Sequence, residues 1–75
     1  MRTPDKTLDV QGLAVLRVRM LALKTLALMD RGQVLKVITT EKAAKKGIVA
    51  LCSEEGYLLL DEVLDGSQHS FLIQR

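Results

Sequence analysis

The side chains from which chemistry could be built are few: one thiol, Cys52, one imidazole, His69, and scattered carboxylates and cations. A lone cysteine forms neither an internal disulfide nor a metal cluster. A lone histidine on a terminal hairpin is an exposed strand or turn residue, not a metal site. Asp61 and Glu62 are adjacent in a strand-like run, so they point to opposite faces and cannot work as a carboxylate pair. Cys52 falls near the end of a helical stretch, beside Glu54 and Glu55. The negative end of the helix and those carboxylates both disfavour a thiolate, so Cys52 reads as a small buried residue. No metal or cofactor is expected. What remains is cationic: Arg17, Arg19 and Lys24 in one group, Lys42, Lys45 and Lys46 in another. Such residues serve as a solvated helix surface or as a basic rim for an anion or acidic protein.

The chain that must position them has 75 residues and a net charge of +2. That length makes one domain, which buries only about 60% of its unfolded surface. The apolar share of 48% is enough for a core and argues against disorder. The aromatic residues are Tyr57 and Phe71 alone, which leaves few stacking platforms for single-stranded nucleic acid. Glu54, Glu55, Asp61, Glu62 and Asp65 form an acidic stretch. The first fifteen residues hold no apolar run of the signal-peptide kind. No run approaches the roughly 18 apolar residues of a membrane span. A cytoplasmic protein is expected.

Residues 1–6, with Pro4, read as a flexible leader, and residues 7–75 as a single domain. Thr7–Val10 alternates with period two and reads as a strand. From Leu16 to Met29 the period becomes helical. Val15, Val18, Ala22, Leu26 and Met29 form an apolar face, widened by Leu16, Met20, Leu23 and Ala27. Gly32 is a natural helix stop. Val34–Thr39 is β-branched and reads as a second strand. A second helix is expected over Lys42–Glu55, with Ala44, Ile48, Leu51 and Cys52 on one face. Gly47 inside it costs up to about 1 kcal/mol relative to alanine, and Gly56 ends it. Tyr57–Leu64 and Ser70–Gln74 read as a hairpin around Asp65-Gly66. The order is βαβαββ. Each helix is long enough to serve as a crossover between parallel strands. The expected fold is therefore an α/β (α+β) two-layer sandwich: a four-stranded mixed sheet, two helices on one face, the other face open.

This layout resembles the TusA/SirA family of small sulfur-relay proteins over Thr7–Arg75. Leu8-Asp9 and Gly12-Leu13 resemble the family's lead-in, and Lys24 a lysine of its first helix. Gly32, Leu35 and Val37 resemble the glycine and second strand. Cys52, Gly56 and Leu59 resemble the end of helix two and the start of strand three. Gly66, Phe71 and Ile73 resemble the closing hairpin. The family's motif is Cys-Pro-x-Pro at the start of helix one. There the helix terminus lowers a thiol pKa, and proline fits a turn whose N–H has no partner. In this chain the matching positions hold Val15, Leu16 and Val18, and valine cannot hold a persulfide. Arg17 takes the variable position and Arg19 one that is usually apolar. Glu41-Lys42 stands for a common Asp-Pro pair, and Gly47 for a later aspartate.

The resemblance implies a kept fold with the sulfurtransferase chemistry lost at the usual position. The expected role is a protein-binding or regulatory module whose partner is a cysteine desulfurase or another sulfur-relay protein. Two other readings stand beside it. One is a sulfur carrier that uses Cys52. The other is a basic nucleic-acid-binding domain, since the fold also resembles the C-terminal domain of a bacterial translation initiation factor. Finally, if Leu59, Phe71, Ile73, Leu35 and Val37 face the helices, alternation sends Leu58, Leu60, Leu72 and Ile38 to the open face. Four large apolar side chains there mark an interface, including one between copies of the chain.

Overall fold

The computed structural model describes residues 3–75. Its elements are β1 (Lys6–Asp9), α1 (Val15–Leu28), β2 (Val34–Thr39), α2 (Ala44–Glu55), β3 (Leu58–Asp65) and β4 (Gln68–Gln74). The four strands form one sheet in the order β1-β2-β4-β3. β1 runs parallel to β2, and β4 is antiparallel to both β2 and β3. β3 is thus parallel to β2 with β4 inserted between them, and α2 is the crossover that reaches past that gap.

Periodicity explains which strands are central. In β2 and β4, Leu35, Val37, Phe71 and Ile73 are fully buried. They meet Val18, Ala22 and Leu26 of α1 and Ala44, Ile48, Leu51 and Cys52 of α2 in one cluster. Both helices therefore pack on one face, and Leu59 is half-buried against the same cluster. The opposite face carries Lys36, Ile38, Ser70 and Leu72 at the alternate positions.

Several details differ from the sequence-based expectation. α1 buries a narrower stripe: Leu16 is 78% and Met20 44% exposed, and Ala27 is exposed as well. Two packed layers need only the Val18–Ala22–Leu26 seam. Gly32 does not cap α1, which ends at Leu28. It sits instead third in an Asp30–Gln33 turn, with φ 86° and the Gln33 N–H on the Asp30 carbonyl at 3.1 Å. A left-handed third residue is what a type II turn requires. α2 starts at Ala44, so Lys42 lies in the turn before it.

The hairpin turn is Gly66–Ser67, one residue later than Asp65-Gly66. Gly66 has φ 63° and no described non-glycine residue has positive φ, as in a II′ loop with glycine first. The supposed leader is held at its end. Lys6 is in β1, the Asp5 N–H donates to the Val34 carbonyl, and the Asp5 carboxylate accepts the Val34 N–H, both at 2.8 Å. Residues 1 and 2 of that expected leader lie outside the described residues.

A bulge lies between Leu59 and Asp61 in β3. It leaves Leu60 without a register partner and shifts the alternation by one. Asp61 then lies opposite Leu72 and Val63 opposite Ser70. Leu60, expected on the open face, is therefore the bulge residue, and Val63 joins Ile38, Leu58 and Leu72 on that face.

Candidate functional site

The loop between β1 and α1 is fixed from several sides before the helix begins. The Asp9 carboxylate accepts the Gln11 N–H at 3.2 Å, and the Leu13 N–H returns to the Val10 carbonyl at 3.2 Å. The Gly12 N–H donates to Thr40 Oγ1, also at 3.2 Å. This last contact ties the entrance of α1 to the loop that follows β2. Ala14 then caps α1 in an extended conformation, without a side-chain hydrogen bond and with no acidic residue in the first turn. The first N–H groups of a helix have no intrahelical acceptor, so this end carries partial positive charge.

Val15 is the first residue of that helix and is half-buried. A Cβ built on Gly47 would lie 3.5 Å from its Cγ1 and 4.0 Å from the Arg19 Cβ. Val15 therefore sits at the crossing of the two helices. Leu16 and Arg17 beside it are exposed, whereas Val18 is buried in the core. A helix terminus suited to a thiolate is present, and an alkyl side chain occupies its opening position.

The six cations do not form one rim. Arg19 pairs with Glu54 across the two helices, Nη2 to Oε1 at 2.8 Å. Lys45 pairs with Glu62 of β3, Nζ to Oε1 at 2.8 Å. Lys24 is nine residues beyond Val15, about 14 Å along the axis and half a turn away. Arg17, Lys42 and Lys46 are exposed, and with Lys24 they make no ion pair among the described residues.

Cys52 lies inside. It is 6% exposed and belongs to the core cluster, and burial pushes its thiol pKa up. Its carbonyl accepts the N–H groups of Gly56 and Tyr57 at the close of α2.

Sequence reasoning missed one cluster. Glu62, on the helix-side face of β3, binds Lys45 with one oxygen and approaches His69 Nε2 at 3.4 Å with the other. The Lys45 hydrogen bond is the main cause of a carboxyl pKa below its ordinary range, with His69 adding to it. His69 is a strand residue of β4 but not an exposed one: its side chain is 14% exposed, and its ring lies 4.3 Å from that of Phe71. Strict alternation from Leu58 hides this cluster by sending Glu62 to the open face; the bulge turns it to the helix side, opposite Phe71 and on the face that His69 shares. The adjacency of Asp61 and Glu62 does separate them as expected. Among the described residues no group of three His, Cys, Asp or Glu side chains could hold a metal. No helix among them is long and apolar enough to cross a membrane.

Comparison with known proteins places this arrangement. Residues 6–75 match the family model described as "Sulfurtransferase TusA". A putative sulfur carrier protein, YrkI of Bacillus subtilis, is 34% identical over 71 residues, covering 95% of each chain. The sulfur carrier protein TusA of Allochromatium vinosum is 35% identical over 71 residues, covering 95% of this chain and 93% of its own. In three dimensions the chain resembles the crystal structure of a SirA-like protein from Desulfitobacterium hafniense, with a TM-score of 0.81. The two are 21% identical over 92% of this chain and 95% of that one.

Proposed function

The chain belongs to the TusA sulfurtransferase family, and from that premise we propose that it is a protein-binding or regulatory member that carries no persulfide at the usual position. The observation that carries this reading is the placement of sulfur. The single thiol, Cys52, is buried in the core with a raised pKa, while the residue that opens α1 is Val15. A persulfide forms when a thiolate takes the outer sulfur of a donor persulfide, and a shielded neutral thiol does this poorly.

The surface around the α1 entrance supports binding rather than chemistry. Leu16 and Met20 are one helical turn apart, both exposed, with Arg17 between them. An apolar pair beside a cation suits an acidic protein surface with a hydrophobic centre. By family resemblance the expected partner is a cysteine desulfurase or another sulfur-relay protein. The Cys52 carrier reading gains nothing from a buried thiol. The nucleic-acid reading gains nothing from cations of which two are already paired.

Two measurements test the proposal. Incubation with a cysteine desulfurase and cysteine should leave the mass unchanged. Titration of the same desulfurase should show binding that Leu16→Glu weakens while the fold is kept. A stoichiometric gain of one sulfur that disappears in Cys52→Ser would overturn the loss of carrier chemistry. Desulfurase binding indifferent to Leu16→Glu would overturn the proposed contact surface.

A further inference from the structure

The open sheet face is not merely apolar; its charges are laid out in a way that suits one kind of occupant. The strands that carry it lie in the order β2-β4-β3, and pairing across them defines rows. One row reads Lys36, Leu72, Asp61, because Leu72 of β4 stands opposite both Lys36 of β2 and Asp61 of β3. The next reads Ile38, Ser70, Val63. The first row is cation, apolar, anion; the second is apolar, small, apolar. Leu58, 60% exposed, and Val63, 53% exposed, extend the apolar area along β3. Neither Lys36 nor Asp61 has an ion-pair partner among the described residues.

We infer that this face binds a second copy of the chain, face to face, about a two-fold axis that runs along β4. A rotation about that axis keeps each row in place and exchanges β2 with β3. Leu72 then meets Leu72, Ser70 meets Ser70, and Ile38 meets Val63 of the other copy. Lys36 of each copy lies over Asp61 of the other, so two ion pairs close at once. Such self-complementarity is the condition for an isologous dimer, and stacked sheets with nearly aligned strands are a standard packing.

The other two-fold arrangements fail on the same residues. An axis across the strands through the charged row stacks Lys36 on Lys36 and Asp61 on Asp61. An axis between β2 and β4 puts Lys36 on Leu72 and Asp9 of β1 over Val63. Only the axis along β4 matches apolar with apolar and cation with anion in both rows. Three strands span about 10 Å from centre to centre, so the buried area is small beside a standard interface. The association is correspondingly weak and belongs at high protein concentration.

The charge pattern provides its own test. Lys36→Asp places acid over acid in a homodimer, and Asp61→Lys places base over base. Each variant alone should dimerise about tenfold or more weakly than the wild type. An equimolar mixture of the two should recover dimer, because a copy with two anions then faces a copy with two cations. Sedimentation equilibrium at millimolar concentration reads all of these, and circular dichroism checks that the substitutions at half-buried Lys36 and exposed Asp61 keep the fold. A wild type that stays monomeric at that concentration overturns the inference. So does a mixture that associates no better than its components, or single variants that dimerise as the wild type does.

Discussion

Replacing Gly47 with alanine should stabilise this protein, and the size of the effect follows from the helix crossing. Gly47 is the fourth residue of α2, which runs Ala44–Glu55, so it lies in a helix interior. Glycine there costs about 0.8–1.0 kcal/mol relative to alanine, chiefly in backbone entropy. A new methyl group would lie 3.5 Å from Val15 Cγ1 and 4.0 Å from Arg19 Cβ. Both are ordinary van der Waals separations, each adding about 0.1–0.2 kcal/mol of attraction without strain. The expected gain is therefore about 1 kcal/mol. For a domain of 60–100 residues that raises Tm by about 4–8 °C. Thermal and urea unfolding read it, the latter as a higher midpoint at unchanged slope. Gly47→Leu supplies the contrast: its extra atoms would enter the contact between Val15 and α2, and it should lower Tm. A decrease in Tm for Gly47→Ala would refute the reasoning, since it would mean that α1 and α2 approach more closely than these distances.

Three further outcomes follow from the same structure. Cys52, buried with a raised thiol pKa, should react with a thiol reagent at pH 8 far more slowly in the native protein than in urea, and equal rates would contradict its burial. Glu62 has a folded pKa held below its ordinary value by Lys45. The stability it contributes is present above the usual glutamate range, about 4.3, and is lost as pH falls through the lowered folded value. Wild type should accordingly exceed Glu62→Gln at neutral pH, by less at high salt because the pair is half-exposed, with the difference vanishing in acid; a constant gap across pH would refute the assignment. Phe71 is fully buried at the centre of the sheet, and Phe71→Ala should cost about 3–5 kcal/mol. Total stability for a chain this size is about 4–11 kcal/mol, so the variant should be partly or wholly unfolded at 37 °C by circular dichroism.

Much of this architecture was legible because it rests on local periodicity. The alternation of Leu35 and Val37 with Lys36 and Ile38 fixes two faces of β2. The four-residue spacing of Val18, Ala22 and Leu26 fixes the seam of α1. Both survive whatever the rest of the chain does. The misreadings share a different cause: they depend on contacts between elements. Leu16 and Met20 fit the apolar face of α1 by type, yet two layers leave nothing to cover them. Lys45 and Arg19 look like free cations until β3 and α2 bring Glu62 and Glu54 to them. His69 reads as an exposed strand or turn residue until the hairpin closes and sets its ring beside Phe71.

The bulge at Leu60 shows how far one such contact reaches. A single extra residue in β3 exchanges the faces of everything after it. Without the bulge, strict alternation from Leu58 would put Glu62 on the open side and turn Asp61 toward the helices. With it, Glu62 meets Lys45 and His69 above the sheet, and Asp61 falls into line with Leu72 and Lys36 below. The ion pair that braces α2 against β3 and the self-complementary row on the open face are thus two consequences of one backbone irregularity. Binary patterning alone does not reveal it, because Leu58-Leu59-Leu60 is apolar at every position and gives the alternation no phase to hold.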